Sequence, residues 1–179
     1  MQTTTNTLLC EAAITPDGSV MVIEDIGASG ISGTYVHADL DCGMGTVQNA
    51  LWVHTMNVHE CVVVGRPVSV RVFSGADTHG LGVPAFCGEL NVASGVLAVG
   101  DRHNPGRQLL LGSPSVVRVS VFLGNDIEVV GFDNSGVGYP VSGPSEVNVL
   151  LHGDPGFAPA VADPKARWAR RPWPRPCRA

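Results

Sequence analysis

Alternation of apolar and polar residues with a period of two recurs along this chain. It is clearest between Val117 and Leu123, where every second residue is a valine or a leucine. The same period appears from Val68 to Val72 and from Val147 to Leu151. Because successive side chains of a strand point to opposite faces, each segment predicts a strand with one buried face.

Other segments predict further strands. Two segments are more continuously apolar, Cys61 to Val64 and Ile127 to Val130, the second with Glu128 inside it. They indicate strands that are covered on both faces or a bulged partner strand. Weaker strands are predicted at Ser19 to Asp25, Thr34 to Leu40, Ala50 to Met56, Phe86 to Val92, Gly95 to Val99 and Arg107 to Leu111. Turn-forming residues separate short strands at intervals of roughly 8 to 12 residues, and no segment has a convincing helical pattern. We therefore expect an all-β protein, an antiparallel β-sandwich or a jelly-roll-like domain.

The composition of the chain changes near its C-terminal end. Alternation stops after His152, so we expect one β-sandwich domain over residues 1–160 and a disordered tail over residues 161–179. Residues 163–179 contain six basic residues and one acid, for a net charge of +5, together with four prolines. This Arg/Pro/Trp-rich tail is either a docking arm for an anionic partner or a basic extension without a function.

The rest of the chain is strongly acidic, with five arginines, fifteen acids and a net charge of −10. Such a body repels nucleic acid, so direct nucleic-acid binding by the body is not expected. A rigid scaffold that displays carboxylates suits a basic protein partner. Four acids beside predicted strand ends are the candidate partner-binding residues: Asp39, Asp41, Glu60 and Asp126.

Location follows from three features of the sequence. No apolar run is long enough to cross a membrane, and the N-terminus lacks the basic and apolar regions of a signal peptide. The five cysteines contain no Cys-x-x-Cys pair, which is typical of reduced thiols rather than a disulfide framework. We expect a cytoplasmic protein that has no contact with a membrane.

Histidine, cysteine and carboxylate residues gather in two segments, His37 to Cys42 and His54 to Cys61. These residue types bind transition metals, and a zinc ion between the two segments is geometrically feasible. Their spacing matches no known ligand signature, however. We therefore expect no metal, and keep as an alternative a small metal-dependent enzyme that uses His37, His54 and His59.

Motifs for other chemistry are also missing from the sequence. There is no Gly-x-Ser-x-Gly elbow for a nucleophilic serine and no phosphate-binding glycine loop, so we expect no catalytic residues and no cofactor. The nearest carboxylate pairs for acid–base work are Glu24 with Asp25 and Asp39 with Asp41, but such acids more often form a solvated surface. The sequence predicts a protein that is not an enzyme.

Four strand-forming segments with Ser-Gly turns between them carry a resemblance to a known family. They are Gly65 to Val72, Leu90 to Val99, Leu109 to Gly112 and Ser115 to Val121. Over residues 65–151 the chain resembles the competence protein J family. The resemblance implies a β-sandwich that binds and blocks a DNA-entry nuclease and has no active site of its own.

Three hypotheses therefore stand. The first is an inhibitor or immunity-type protein that presents acidic edges to a basic nuclease. The second is a structural or assembly module of a β-rich oligomer. Its valine-rich strands have few lysines, the residues that usually protect edge strands from pairing with another chain. The third is the metal-dependent enzyme.

Overall fold

Two five-stranded sheets make up more than half of the residues that the structure describes. The computed structural model describes residues 5–28, 34–36, 49–101, 103, 106–124, 129–132 and 138–153. These residues form a β-sandwich, a separate two-stranded ribbon and one short α-helix. The prediction of an all-β fold is confirmed. The boundary expected near residue 160 and the tail over residues 161–179 lie outside the described residues.

Sheet A, as we name the first five-stranded sheet, contains the strands with the clearest alternation. Its strands in spatial order are β1 (Thr7–Ile14), β5 (Val68–Gly75), β12 (Glu146–His152), β9 (Ser115–Gly124) and β6 (Val83–Val92). Neighbouring strands are antiparallel except β5 and β12, which are parallel. Strands β1 and β6 therefore form the two edges of sheet A.

Sheet B is the second layer of the sandwich. Its strands in spatial order are β3 (Thr34–Val36), β4 (Ala50–His54), β2 (Val20–Asp25), β7 (Val96–Asp101) and β8 (Arg107–Leu110). Here β3 and β4 are parallel and the other neighbours are antiparallel. The separate ribbon pairs β10 (Val129–Phe132) with β11 (Gly138–Pro140). Both sheets are thus mixed, although antiparallel pairs predominate.

Alternation places one face of each sheet in a shared core. In sheet A, Val72 lies opposite Val149, and Val149 lies opposite Val121 on the next strand. All three valines are fully buried. Residues Met21 and Ile23 of β2 supply the facing side of the core from sheet B. Burial of each such side chain contributes about 1.5 to 3 kcal/mol, which makes this core the main source of stability.

A smaller apolar cluster lies on the outer face of sheet A. Leu81, from the segment between β5 and β6, packs with Phe122 and Leu150. The amide Nδ2 of Asn148 donates to the Leu81 carbonyl oxygen at 2.7 Å. This segment therefore covers the middle of the outer face.

One sequence prediction about secondary structure is wrong, and two strands were not predicted. The run Cys61 to Val64 is not a strand but belongs to helix α1 (Val58–Val64). The strands that were not predicted are β11 and β1, which pairs with β5 through most of its length. The other predicted strands correspond to strands of the two sheets and the ribbon, wherever the structure describes their residues. Within the described part of the chain, no helix has the length and apolar character needed to cross a membrane.

Candidate partner-binding surface around helix α1

Helix α1 is stabilised at both ends. Its N-cap residue, Asn57, accepts a hydrogen bond from the Glu60 N–H through Oδ1 at 2.9 Å, and the Asn57 N–H donates to Glu60 Oε2 at 2.7 Å. This reciprocal pair is a capping box. At the other end Gly65 adopts φ +77°, a left-handed conformation that favours glycine. The caps account for a helix in a sequence of β-branched residues, which are weak helix formers.

Glu60 also ties the helix to the loop that follows β11. Its Oε1 accepts a hydrogen bond from the Ser142 N–H at 2.6 Å, and its Oε2 accepts one from the Ser142 hydroxyl at 2.6 Å. The Glu60 side chain is only 8% exposed. The sequence pattern predicts Glu60 as a surface acid beside a strand end. The structure instead places it inside a helix, with both carboxylate oxygens hydrogen-bonded within the fold.

Two further contacts hold the same loop against the end of β4. The Nε2 atom of His54 lies 2.7 Å from the Ser142 carbonyl oxygen. A Cβ atom on Gly143 would lie 2.7 Å from the Thr55 carbonyl carbon, so only glycine fits there without a shift of the backbone. We call Asn57, Glu60, Ser142 and His54 the Glu60 network. It fixes the position of helix α1 on the sandwich.

The exposed side of helix α1 carries three valines and His59. Val58, Val62 and Val63 are exposed, Val62 to 71%. Val58 and Val62 are four residues apart and therefore lie on the same side of the helix. Tyr139, 57% exposed, belongs to β11, which pairs with β10 beside the helix and leads into Ser142. These four residues, which we call the helix patch, are four of the seven large apolar side chains exposed among the described residues.

A turn with an exposed carboxylate lies beside helix α1. The short 3-10 turn Asp17–Ser19 contacts helix α1, and the Asp17 side chain is well exposed. Asp17 Oδ2 lies 3.6 Å from His103 Nε2, and the His103 N–H donates to Asp101 Oδ1 at 2.7 Å. An apolar centre with a polar border is the usual anatomy of a protein-binding surface.

The remaining predicted site residues are only partly described. Asp39, Asp41, Asp126 and His37 lie outside the described residues. His59 is exposed on helix α1, whereas His54 belongs to the Glu60 network. Among the described residues, no three His, Cys, Asp or Glu side chains are arranged to hold a metal ion. The metal hypothesis also needs His37 and stays a prediction.

Of the two carboxylate pairs considered for acid–base work, Glu24 and Asp25 are buried, and Asp39 and Asp41 lie outside the described residues. Asp25 is 5% exposed, and its Oδ1 accepts hydrogen bonds from both the N–H and the hydroxyl of Ser94, the former at 3.0 Å. Ser94 lies in the turn between β6 and β7. Asp25 therefore stabilises a turn within the fold.

One pairing on the outer face of sheet A was missed by the sequence analysis. The Ser120 hydroxyl lies 2.7 Å from His152 Nε2, and Cys87 of β6 lies opposite Ser120 in the sheet. Burial, and then the nearby charge of Arg118, lower the pKa of His152 below its usual value of 6.5. These residues come together only through the register of the strands. That register leaves no local pattern in the sequence.

No protein-family model, curated protein or solved structure matches this chain. The resemblance to the competence protein J family therefore stays a prediction. The proposal of a function depends on the surfaces of the molecule.

Proposed function

We propose that this protein is a non-enzymatic, cytoplasmic binding domain that inhibits a basic protein partner, a nuclease being the proposed class. The helix patch is the proposed centre of contact. The observation that carries the proposal is the exposure of Val58, Val62 and Val63 on one short helix, and of Tyr139 on β11, whose partner strand β10 contacts that helix. Contiguous exposed apolar residues bordered by polar groups mark sites of protein interaction.

Burial of the helix patch supplies the affinity in this proposal. Complete burial of one exposed valine contributes about 1.5 to 3 kcal/mol before the entropy cost of association is subtracted. The Glu60 network already fixes the helix in the free protein. Little conformational entropy is therefore lost in ordering this surface when a partner binds.

Charge supports a basic partner. The body of the chain carries a net charge of −10, and the exposed Asp17 lies in a turn that contacts helix α1. Complementary charge accelerates the encounter of two proteins and makes their affinity fall as salt is added. A nuclease that binds DNA phosphates presents the basic surface that such a domain would recognise.

The test compares two substitutions of the same kind on the full chain. Val62→Glu places a charge in the helix patch, and Val116→Glu places one on β9, where Val116 is 55% exposed. Wild type and both variants are used to capture proteins from a lysate of the source cells, and a captured nuclease is then purified and assayed. We expect wild type and Val116→Glu to inhibit it equally, and Val62→Glu to inhibit at least about tenfold less well, an effect of roughly 1.4 kcal/mol.

Three results would contradict the proposal. One is equal inhibition by the two variants, which would place the contact away from the helix patch. Another is binding that does not weaken with salt, and the third is the failure of any captured basic protein to lose activity.

A further inference from the structure

The edges of the two sheets differ in how well they are protected. Natural sheets avoid accidental strand pairing by means of short, irregular or covered edges. In sheet B the described edge strands are short, with three residues in β3 and four in β8. The edges of sheet A are longer, and each contains one shift of register.

Strand β6 presents the longest regular edge among the described residues. The register of β1 shifts between Leu8 and Cys10, which leaves five regular residues up to Ile14. In β6 the shift lies between Pro84 and Phe86, and seven residues from Phe86 to Val92 then pair regularly with β9. In the described structure β6 has β9 as its only strand neighbour. Alternate residues of an edge strand direct their N–H and C=O groups away from the sheet.

The side chains of this edge do not repel another strand. Residues 83–92 contain one charged residue, Glu89, and no lysine. Cys87 and Glu89 are exposed, and Val83 at the start of the strand is 66% exposed. Lysines and inward charges are the usual protection of an edge, and the regular part of β6 has neither.

We propose that β6 pairs in antiparallel fashion with β6 of a second copy of this chain, so that two A sheets join around a twofold axis at Gly88. Such pairing is isologous, because the same surface serves both copies. The proposal does not depend on the inhibitor function, since the β6 edge and the helix patch are different surfaces.

The faces of the strand restrict the register to a twofold axis at a residue, and we place that axis at Gly88, near the centre of the regular segment. Residues directly opposite each other in a sheet share a face, so Cys87, which faces outward, must oppose an outward residue of the other copy. With the axis at Gly88, Cys87 opposes Glu89 of the second copy and Phe86 opposes Leu90. All of these residues lie in the regular part of β6. An axis at Glu89 would instead oppose two like charges, which destabilises a strand pair.

Salt distinguishes this association from binding to a basic partner. Each copy has an acidic body, so two copies repel each other and added salt screens the repulsion. Self-association should therefore strengthen with salt, whereas inhibitor binding should weaken. The full chain is measured by sedimentation over a range of protein and salt concentrations. A dimer favoured by salt is expected, and a monomer under all these conditions would overturn the proposal.

Opposite charges at one position test the register. In Cys87→Glu the new carboxylate lies opposite Glu89 of the second copy, twice per dimer, so dimerisation should weaken about three- to tenfold. In Cys87→Lys opposite charges face each other, so dimerisation should strengthen by a similar factor. Leu8→Glu and Leu8→Lys make the same changes of charge on β1, where Leu8 is exposed, and serve as controls. Equal effects at the two positions would overturn pairing at β6. Weakening by both Cys87 variants would overturn the axis at Gly88.

Two further measurements separate the proposals. A short bifunctional maleimide should crosslink wild-type dimers, and mass spectrometry of the peptides should identify a Cys87–Cys87 product. Cys87→Ser should remove this product without changing the dimer constant. Absence of a Cys87–Cys87 product from wild-type dimers would overturn the placement of Cys87. Val62→Glu should dimerise as wild type does, and Cys87→Glu should retain inhibition. The failure of one proposal is thereby distinguished from the failure of the other.

Discussion

The hydroxyl of Ser120 and the Nε2 atom of His152 lie 2.7 Å apart on the outer face of sheet A. A serine hydroxyl donates to a ring nitrogen only when that nitrogen carries no proton. The neutral ring is favoured here, because burial and the charge of Arg118 lower the pKa of His152. Folding and protonation of His152 therefore oppose each other.

Acid should destabilise the protein through His152. The folded-state pKa lies below the usual value of 6.5, so as the pH falls through 6.5 the unfolded chain binds a proton that the folded chain does not. The stability contributed by the neutral ring is thus present above pH 6.5 and is lost as the pH falls towards the folded-state pKa. Urea unfolding between about pH 8 and pH 5 should show this loss, and His152→Gln should reduce it.

His59→Gln provides the matched control for this experiment. The His59 side chain is exposed on helix α1, so its removal should leave the pH dependence of wild type intact. A decrease of stability with acid that is equally large in wild type and His152→Gln would show that another group is responsible.

Substitution of Glu60 by glutamine should destabilise the fold. The carboxylate accepts hydrogen bonds from the Asn57 N–H and from the N–H and hydroxyl of Ser142. An amide has one acceptor oxygen instead of two and directs its NH₂ group at a donor. We expect a loss of about 2 to 3 kcal/mol, because hydrogen bonds to charged groups contribute about 1.5 to 3 kcal/mol and a buried donor is left without a partner.

Two controls define the role of Glu60. Asn57→Ala removes the N-cap alone and should cost about 1 kcal/mol in urea unfolding. Glu11→Gln changes an exposed acid of β1 and should cost almost nothing. A Glu60→Gln variant with wild-type stability but weakened inhibition would instead support the direct partner contact predicted from the sequence.

The strands were predictable because one face of each is buried in the core. Val117 to Leu123 shows the reason: alternate side chains enter the core, so the period of two is a direct consequence of the sandwich. Helix α1 was not predicted, because Cys61 to Val64 is apolar throughout and has no period. The informative signal was Asn57 with Glu60 three residues later, the residue types and spacing of a capping box.

The candidate surfaces were less predictable than the strands. Glu60 was selected as a surface acid, yet its burial depends on Ser142, 82 residues away along the chain. The exposure of Val62 likewise depends on what the fold leaves uncovered. Contacts between distant segments decide both properties, and local patterns in the sequence carry no information about them.

Removal of the Asp25 carboxylate should destabilise the turn between β6 and β7. Asp25 Oδ1 accepts hydrogen bonds from the N–H and the hydroxyl of Ser94. The next residue of the turn, Gly95, has φ +73°. Asp25→Ala leaves these donors without a partner and should cost about 2 kcal/mol. Asp25→Asn keeps one acceptor oxygen and should cost less. Urea unfolding measures both variants, and equal costs would argue against a role for the hydrogen bonds.

Two cysteines should react with iodoacetamide at very different rates in the folded protein. Burial raises the pKa of the Cys61 thiol, and Cys61 is only 4% exposed on helix α1, whereas Cys87 is exposed on β6. The thiolate is the reactive form, so Cys61 should be alkylated at least about tenfold more slowly than Cys87 at mildly alkaline pH. Mass spectrometry of the peptides gives both rates, and the difference should disappear in guanidinium.

Glu60→Gln should accelerate the alkylation of Cys61 alone, because the helix that shields it is held by the Glu60 network. Equal rates at the two thiols in the folded wild type would show that helix α1 opens as readily as the edge of the sheet.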